Sequence, residues 1–235
     1  MFKFKSTILM LSLSATFALA DGYFIGFSGG LNHSLVDEDN YDLISDNNLL
    51  LSPKFGYQID NTHRYYLSYE YGGKSSGSRS YDIELAGVVI ANEWEKYEFT
   101  SHRFLLGYDY TPLIRQNLRA DIGVFAGYSL GKFDLENSLI QDIAPAIPSY
   151  LDGFSNPAIP SYLDGFSYGA KLGALYEMDD RWDIEFGAKI MRTMYKSKDF
   201  DISFDYGGTT YKIEDKPFRL KQLDMGAYLG VSYRF

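Results

Sequence analysis

The feature that most constrains this chain is its last stretch, Gln222 to Phe235, which alternates without a break. Leu223, Met225, Ala227, Leu229, Val231, Tyr233 and Phe235 fall on one side; Asp224, Gly226, Tyr228, Gly230, Ser232 and Arg234 fall on the other. Side chains alternate across a strand, so this is a strand with one apolar face and one polar or small face. Such an apolar face needs a cover. A soluble fold would need a second sheet, whereas a bilayer covers it unaided. A tilted strand crosses the hydrocarbon layer in roughly 9–11 residues, and a spanning sheet must close on itself because lipid cannot satisfy an open edge.

The same alternation recurs upstream. It predicts strands over Gly22–Asn32, Asn48–Asp60, Arg64–Gly72, Lys96–Tyr110, Leu118–Leu130, Phe166–Met178 and Trp182–Met194, with the terminal stretch as the eighth. Pro53 cannot donate to a ladder, so a bulge is expected there, or a strand start just after it. Tight turns are expected at Asn61-Thr62-His63, Thr111-Pro112-Leu113 and Asp179-Asp180-Arg181. Long connections are expected at 33–47, 73–95, 131–165 and 195–220, where the DIELAGVVIA stretch after Tyr81 could extend its flanking strands as a hairpin. The expected fold is all-β: an eight-stranded antiparallel transmembrane up-and-down β-barrel.

Lys3 and Lys5 precede an apolar run from Ile8, which ends in Ala18-Leu19-Ala20. That is the pattern of a secretory signal peptide. Residues 1–20 are therefore set apart, and residues 21–235 form one barrel domain. No later stretch has the continuous apolar length of a membrane helix. With Cys 0, neither a disulfide nor a thiolate metal site can form. Tyr 21 and Phe 17 suit aromatic girdles at two bilayer interfaces.

The terminal Phe235, Tyr233 two residues before it, and the alternation of long and short connections together resemble the small eight-stranded outer-membrane barrels of the OmpA/OmpX type. The resemblance covers nearly all of residues 21–235 and lies in pattern. It implies a bacterial outer-membrane location among lipid and lipopolysaccharide. It also implies that the terminal strand engages the barrel-assembly machinery, that the barrel is a monomer, and that both chain ends lie on the periplasmic side. The peptidoglycan-binding domain of the OmpA type is not expected, since the barrel pattern runs to Phe235.

By the alternation, the inward face carries Lys54, Arg64, Arg103, Arg119, Lys171, Lys189 and Arg234. Against them stand Glu70, Asp109, Asp121, Glu177, Asp183, Glu185 and Asp224. An eight-stranded barrel is only wide enough for its own side chains, so these charges must pair. The lumen is thus expected to be filled, with a narrow ion path as the alternative. The net charge of −9 becomes −11 without the leader's two lysines, and the first three long connections are acidic. An acidic chain is a poor nucleic-acid binder.

Catalysis finds little support. Ser101 and His102 are adjacent and so point to opposite faces. Thr100 shares the face of His102 without an acid nearby, His33 and Ser34 begin a connection, and His63 sits in a turn. The Asp37-x-Asp39 spacing lacks the Gly and Glu of a calcium loop. No catalytic, cofactor-binding or metal-ligating residue is assigned, and no cofactor is expected. AIPSYLDGFS occurs at 146–155 and again at 158–167. Tyr150, Leu151, Phe154 and their copies Tyr162, Leu163, Phe166 form either a contact tip or a neutrally lengthened loop. The leading function is a non-enzymatic scaffold presenting four loops to a host or surface ligand. The alternatives are a narrow channel and a lipid A-modifying enzyme.

Overall fold

Eight long strands each pair antiparallel with their neighbours in chain order, and the last closes on the first. The strands are β1 (Tyr23–Glu38), β2 (Tyr41–Ile59), β3 (His63–Leu85), β4 (Val88–Tyr110), β6 (Leu118–Asn137), β7 (Ala158–Glu177), β8 (Trp182–Ser197) and β11 (Arg219–Arg234). The short β5 (Leu113–Arg115) lies beside the start of β6, and β9 (Phe200–Tyr206) pairs with β10 (Thr209–Asp215) as a separate ribbon. The sheet runs β4-β3-β2-β1-β11-β8-β7-β6, and pairing of β4 with β6 completes the ring. This computed structural model describes residues 22–38, 41–85, 88–137, 158–197, 200–206, 209–215 and 219–235. The expected signal peptide (residues 1–20) and the first repeat copy (residues 146–155) lie outside them.

The outward face is apolar from Phe27, Leu67, Leu106 and Val124 to Leu172, Phe186 and Leu229, all exposed. Aromatic groups border this belt at both ends. On the turn side Tyr23 stacks on Phe55 at 5.7 Å and Trp182 meets Tyr233 at 4.9 Å. On the loop side Tyr69 and Tyr71 flank His102 at 6.0 and 5.3 Å, and Phe166 stacks on Tyr168 at 6.2 Å. A belt between two aromatic girdles is the outer surface of a bilayer-spanning barrel.

The strands run past the loop-side girdle, and this corrects several expected boundaries. Residues 33–38 and 41–47 are strand and not loop: β1 continues to Glu38 and β2 begins at Tyr41. Residues 73–85 and 88–95 are likewise strand, belonging to β3 and β4, as the hairpin expected of the stretch after Tyr81. The connection expected over 131–165 narrows to 138–157, because β6 continues to Asn137 and β7 begins at Ala158. The second repeat copy is therefore wall, paired from Glu136↔Ala158 to Gly127↔Ser167.

The reason is a phase inversion. Below the girdle, apolar residues face out. Above it they face in: Val36, Ile44, Phe99, Phe133, Leu163, Tyr195 and Leu220 are all buried, while polar residues such as Asn47 and Lys196 face out.

Two local expectations also change. Pro53 causes no bulge: it sits within β2 opposite Phe27 of β1. Toward β3 the ladder skips Ser52 and Pro53 and resumes in the same register at Lys54↔Ser68. His63 is the first residue of β3, and the turn before it is Asp60-Asn61-Thr62, with φ 51° and 53° at Asp60 and Asn61. Asn and Asp tolerate that left-handed region better than other L-residues.

Candidate functional site

The lumen is built by inward residues of all eight long strands, and all fourteen predicted charges lie in it. Each makes at least one ion pair. Nearest the turns, Arg64 pairs with Asp183, and its Nε donates to Gln58 Oε1 at 2.7 Å. Arg234 reaches Asp183 at 3.0 Å, and Arg119 reaches Glu177 at 2.8 Å. Deeper, Lys54 pairs with Glu185, and Lys171 bridges Asp109 at 2.7 Å and Asp121 at 2.9 Å. The ammonium groups of Lys54 and Lys171 lie 5.5 and 5.4 Å from the Tyr66 ring centre. Gly107 and Gly123 make this packing possible: a Cβ at Gly107 would strike the Tyr66 ring, and one at Gly123 would strike Asp109.

A second ionic group lies closer to the loop side. Arg103, with no exposed surface, holds Glu70 at 2.8 Å and also pairs with Asp224; Lys189 pairs with Glu70. Ser34 donates to Asp224, while the Asn48 amide donates to Ser34 at 2.8 Å and Ser75 at 2.7 Å. Between the two groups a cavity of about 50 Å³ is lined by Lys54, Glu70, Lys189, Tyr66, Leu105 and Phe125 among others. That is room for only a few waters, at roughly 10–15 Å³ each by this kind of measure.

Above the ionic groups the inward apolar residues meet as a plug. Val36, Ile44, Tyr97, Phe99, Phe133, Leu163, Tyr195 and Leu220 form one buried cluster. Phe99 and Tyr195 make an edge contact at 5.3 Å. Sequence reasoning missed this plug, although the signal was present as apolar residues on the face that is polar lower down each strand.

The singled-out polar groups do not converge on a reaction centre. His33 faces Asn47 at 3.1 Å on the outside, while the adjacent Ser34 points into the lumen. His102 lies 2.6 Å from the Tyr69 hydroxyl on the outer face, and Ser101 is buried on the inner one. His63 lies 2.8 Å from the Tyr108 hydroxyl. In the repeat, Leu163 is 1 % exposed within the plug, whereas Tyr162 and Phe166 are 66 % and 52 % exposed. The copy is thus split between interior and surface and does not form a loop tip.

Outside the membrane-spanning part, several charges on β3, β4 and β6 are paired. Lys74 and Lys96 hold Glu98 at 2.5 and 2.9 Å, and these bonds keep its carboxyl below the usual range. Lys132 holds Asp134 at 2.8 Å. Asp46 accepts the Ser76 backbone N–H at 2.8 Å, the main cause of a carboxyl held below its ordinary value.

No family model and no curated protein matches the chain. Solved structures that resemble it include Neisserial surface protein A (NspA), 11 % identical, covering 91 % of this chain and 97 % of that one at TM-score 0.47. Ail, the attachment invasion locus protein of Yersinia pestis, is 16 % identical and covers 90 % and 98 % at TM-score 0.45. OprG from Pseudomonas aeruginosa is 12 % identical and covers 91 % and 96 % at TM-score 0.42. The fold assignment rests on the chain's own closed ladder, girdles and filled interior: this is a small eight-stranded barrel of the outer-membrane type.

Proposed function

We propose that the chain is a non-enzymatic outer-membrane barrel that acts through the wall and loops it projects from the cell. The observation that carries this reading is the contrast between interior and exterior. Fourteen paired charges and an apolar plug fill the lumen: the cavity between the two ionic groups is only about 50 Å³, and the wider pocket of about 470 Å³ lined by Arg119, Glu177 and Arg234 lies at the turn-side mouth. Outside, strands of 16 to 23 residues exceed the roughly 9–11 needed to cross a bilayer. The excess stands beyond the loop-side girdle and carries the connections that meet the surroundings. Lipid and lipopolysaccharide bathe the belt, the terminal strand serves assembly, and the barrel works as a monomer. The test is binding of the purified barrel to host cells or extracellular matrix, against a variant whose 138–157 connection is replaced by a short Gly-Ser linker. The linker variant should bind less; equal binding would move the contact away from that connection.

A further inference from the structure

The projecting wall is not evenly charged. On β8, Arg192, Met194 and Lys196 face outward, with Thr193 and Tyr195 buried between them. On β11, Arg219 and Lys221 face outward, with Leu220 and Gln222 buried. The register sets Arg219 directly opposite Lys196, Lys221 opposite Met194, and Leu223 opposite Arg192. Four cations therefore share one patch of two adjacent strands. Two of them stand face to face, an arrangement that is destabilising unless neutralised.

Unlike Lys74, Lys96 and Lys132, these four make no ion pair among the described residues. Two acids flank them. Asp164 of β7 lies opposite Lys196, and Asp37 of β1 lies opposite Lys221. Asp37 hydrogen-bonds Asp42; burial and Asp42 together raise its carboxyl above the ordinary range, despite Lys221 and Arg192 nearby.

The patch also has a fixed height. Arg192 is level with Tyr168 and Met194 with Phe166, the stacked pair of the loop-side girdle. Below Arg192 the outer face turns apolar at Ile190 and Met225, and then small where Ala188 faces Ala227. Cations at the girdle above an apolar, shallow wall match an amphipathic anion whose charge sits at the membrane surface and whose chains run down the barrel. We propose that Arg192, Lys196, Arg219 and Lys221 form a binding site for the phosphate groups of a phosphorylated glycolipid in the outer leaflet. The site rests on the membrane-spanning reading above and adds a defined ligand to it. Charge-assisted bonds from Arg and Lys to phosphate are the strongest this wall can offer.

The refolded full chain in detergent can be titrated with bis-phosphorylated lipid A, with the same lipid dephosphorylated, and with inorganic phosphate, read by native mass spectrometry. The phosphorylated lipid should be retained and the dephosphorylated one only weakly. R192S/K196S/R219S/K221S should weaken retention on the order of tenfold or more, while K74S/K96S/K132S should not. Equal retention by parent and fourfold variant, equal loss in the control, or equal binding of the dephosphorylated lipid would overturn the site. Saturation by inorganic phosphate at the same concentration would overturn the lipid assignment. If the fourfold variant fails to close, R192S/K196S and R219S/K221S each supply the test, with partial loss expected. A heat-dependent gel shift of the parent separates the two readings: its absence refutes the spanning barrel, and its presence with unaltered lipid binding refutes only the site.

Discussion

Arg103 shares one fully buried guanidinium between Glu70 and Asp224. Among the described residues, replacing it with Leu leaves Lys189 as the one cation paired with that acid pair, and it pairs only with Glu70. Removing one partner of a buried pair costs about 3–5 kcal/mol, whereas an exposed pair such as Lys132–Asp134 is worth about 0–1 kcal/mol. Arg103→Leu should therefore lower the urea midpoint clearly and Lys132→Leu hardly at all; equal midpoints would contradict the buried position of Arg103. Asp46 gives a pH dependence. Its folded carboxyl lies below the ordinary aspartate value of 3.8, held there chiefly by the Ser76 N–H. A depressed carboxylate contributes fully above its unfolded value and loses that contribution as pH falls through the folded one. The Ser76 amide shift in NMR should thus titrate with a midpoint below 3.8 and should lose that step in Asp46→Asn; a midpoint above 3.8 would exclude the bond.

At the scale of the strand, alternation told which face each lumen charge takes, because a period of two needs no partner to be read. It could not tell where a strand ends. Below the girdle apolar residues face out toward lipid; past it the exterior is water, so the rule reverses. Val36 and Ile44 then looked like the end of a pattern when they were its continuation inward. The repeat shows the same thing, since Leu163 reads as a sticky loop residue until Tyr195 and Phe133 are found around it. Its placement sharpens one expectation. Deleting residues 156–167 removes the copy that forms the wall, but Ala146–Ser155 is identical and joins Tyr168 in its place. The period of twelve is even, so no side chain changes face. The connection shortens from residues 138–157 to 138–145, a change in closure entropy of under about 1 kcal/mol. The deleted chain should assemble and keep its heat-dependent gel shift; loss of assembly would mean that the two copies are not interchangeable in β7.

For the molecule as a whole, closure and charge balance were legible, but partner choice was not. Which cation meets which acid depends on which strands stand across the ring, and no local pattern carries that. With both ionic groups paired and the plug above them, planar bilayers holding the protein should show no steady single-channel steps; steps that persist in purified protein would require an open path past Phe99 and Tyr195. The pairing has a mechanical side as well. Arg64 to Asp183 and Lys189 to Glu70 both join β3 to β8, and Arg103 to Asp224 joins β4 to β11, each four strands apart in a ring of eight. These bonds act as spokes across the full diameter. A hollow tube of strands can flatten under lateral pressure, but a spoked one can do so only by breaking buried charge pairs. Where the surrounding bilayer is too thick or too thin, the lipid and the tilt of the barrel have to yield, and the outline of the protein stays round.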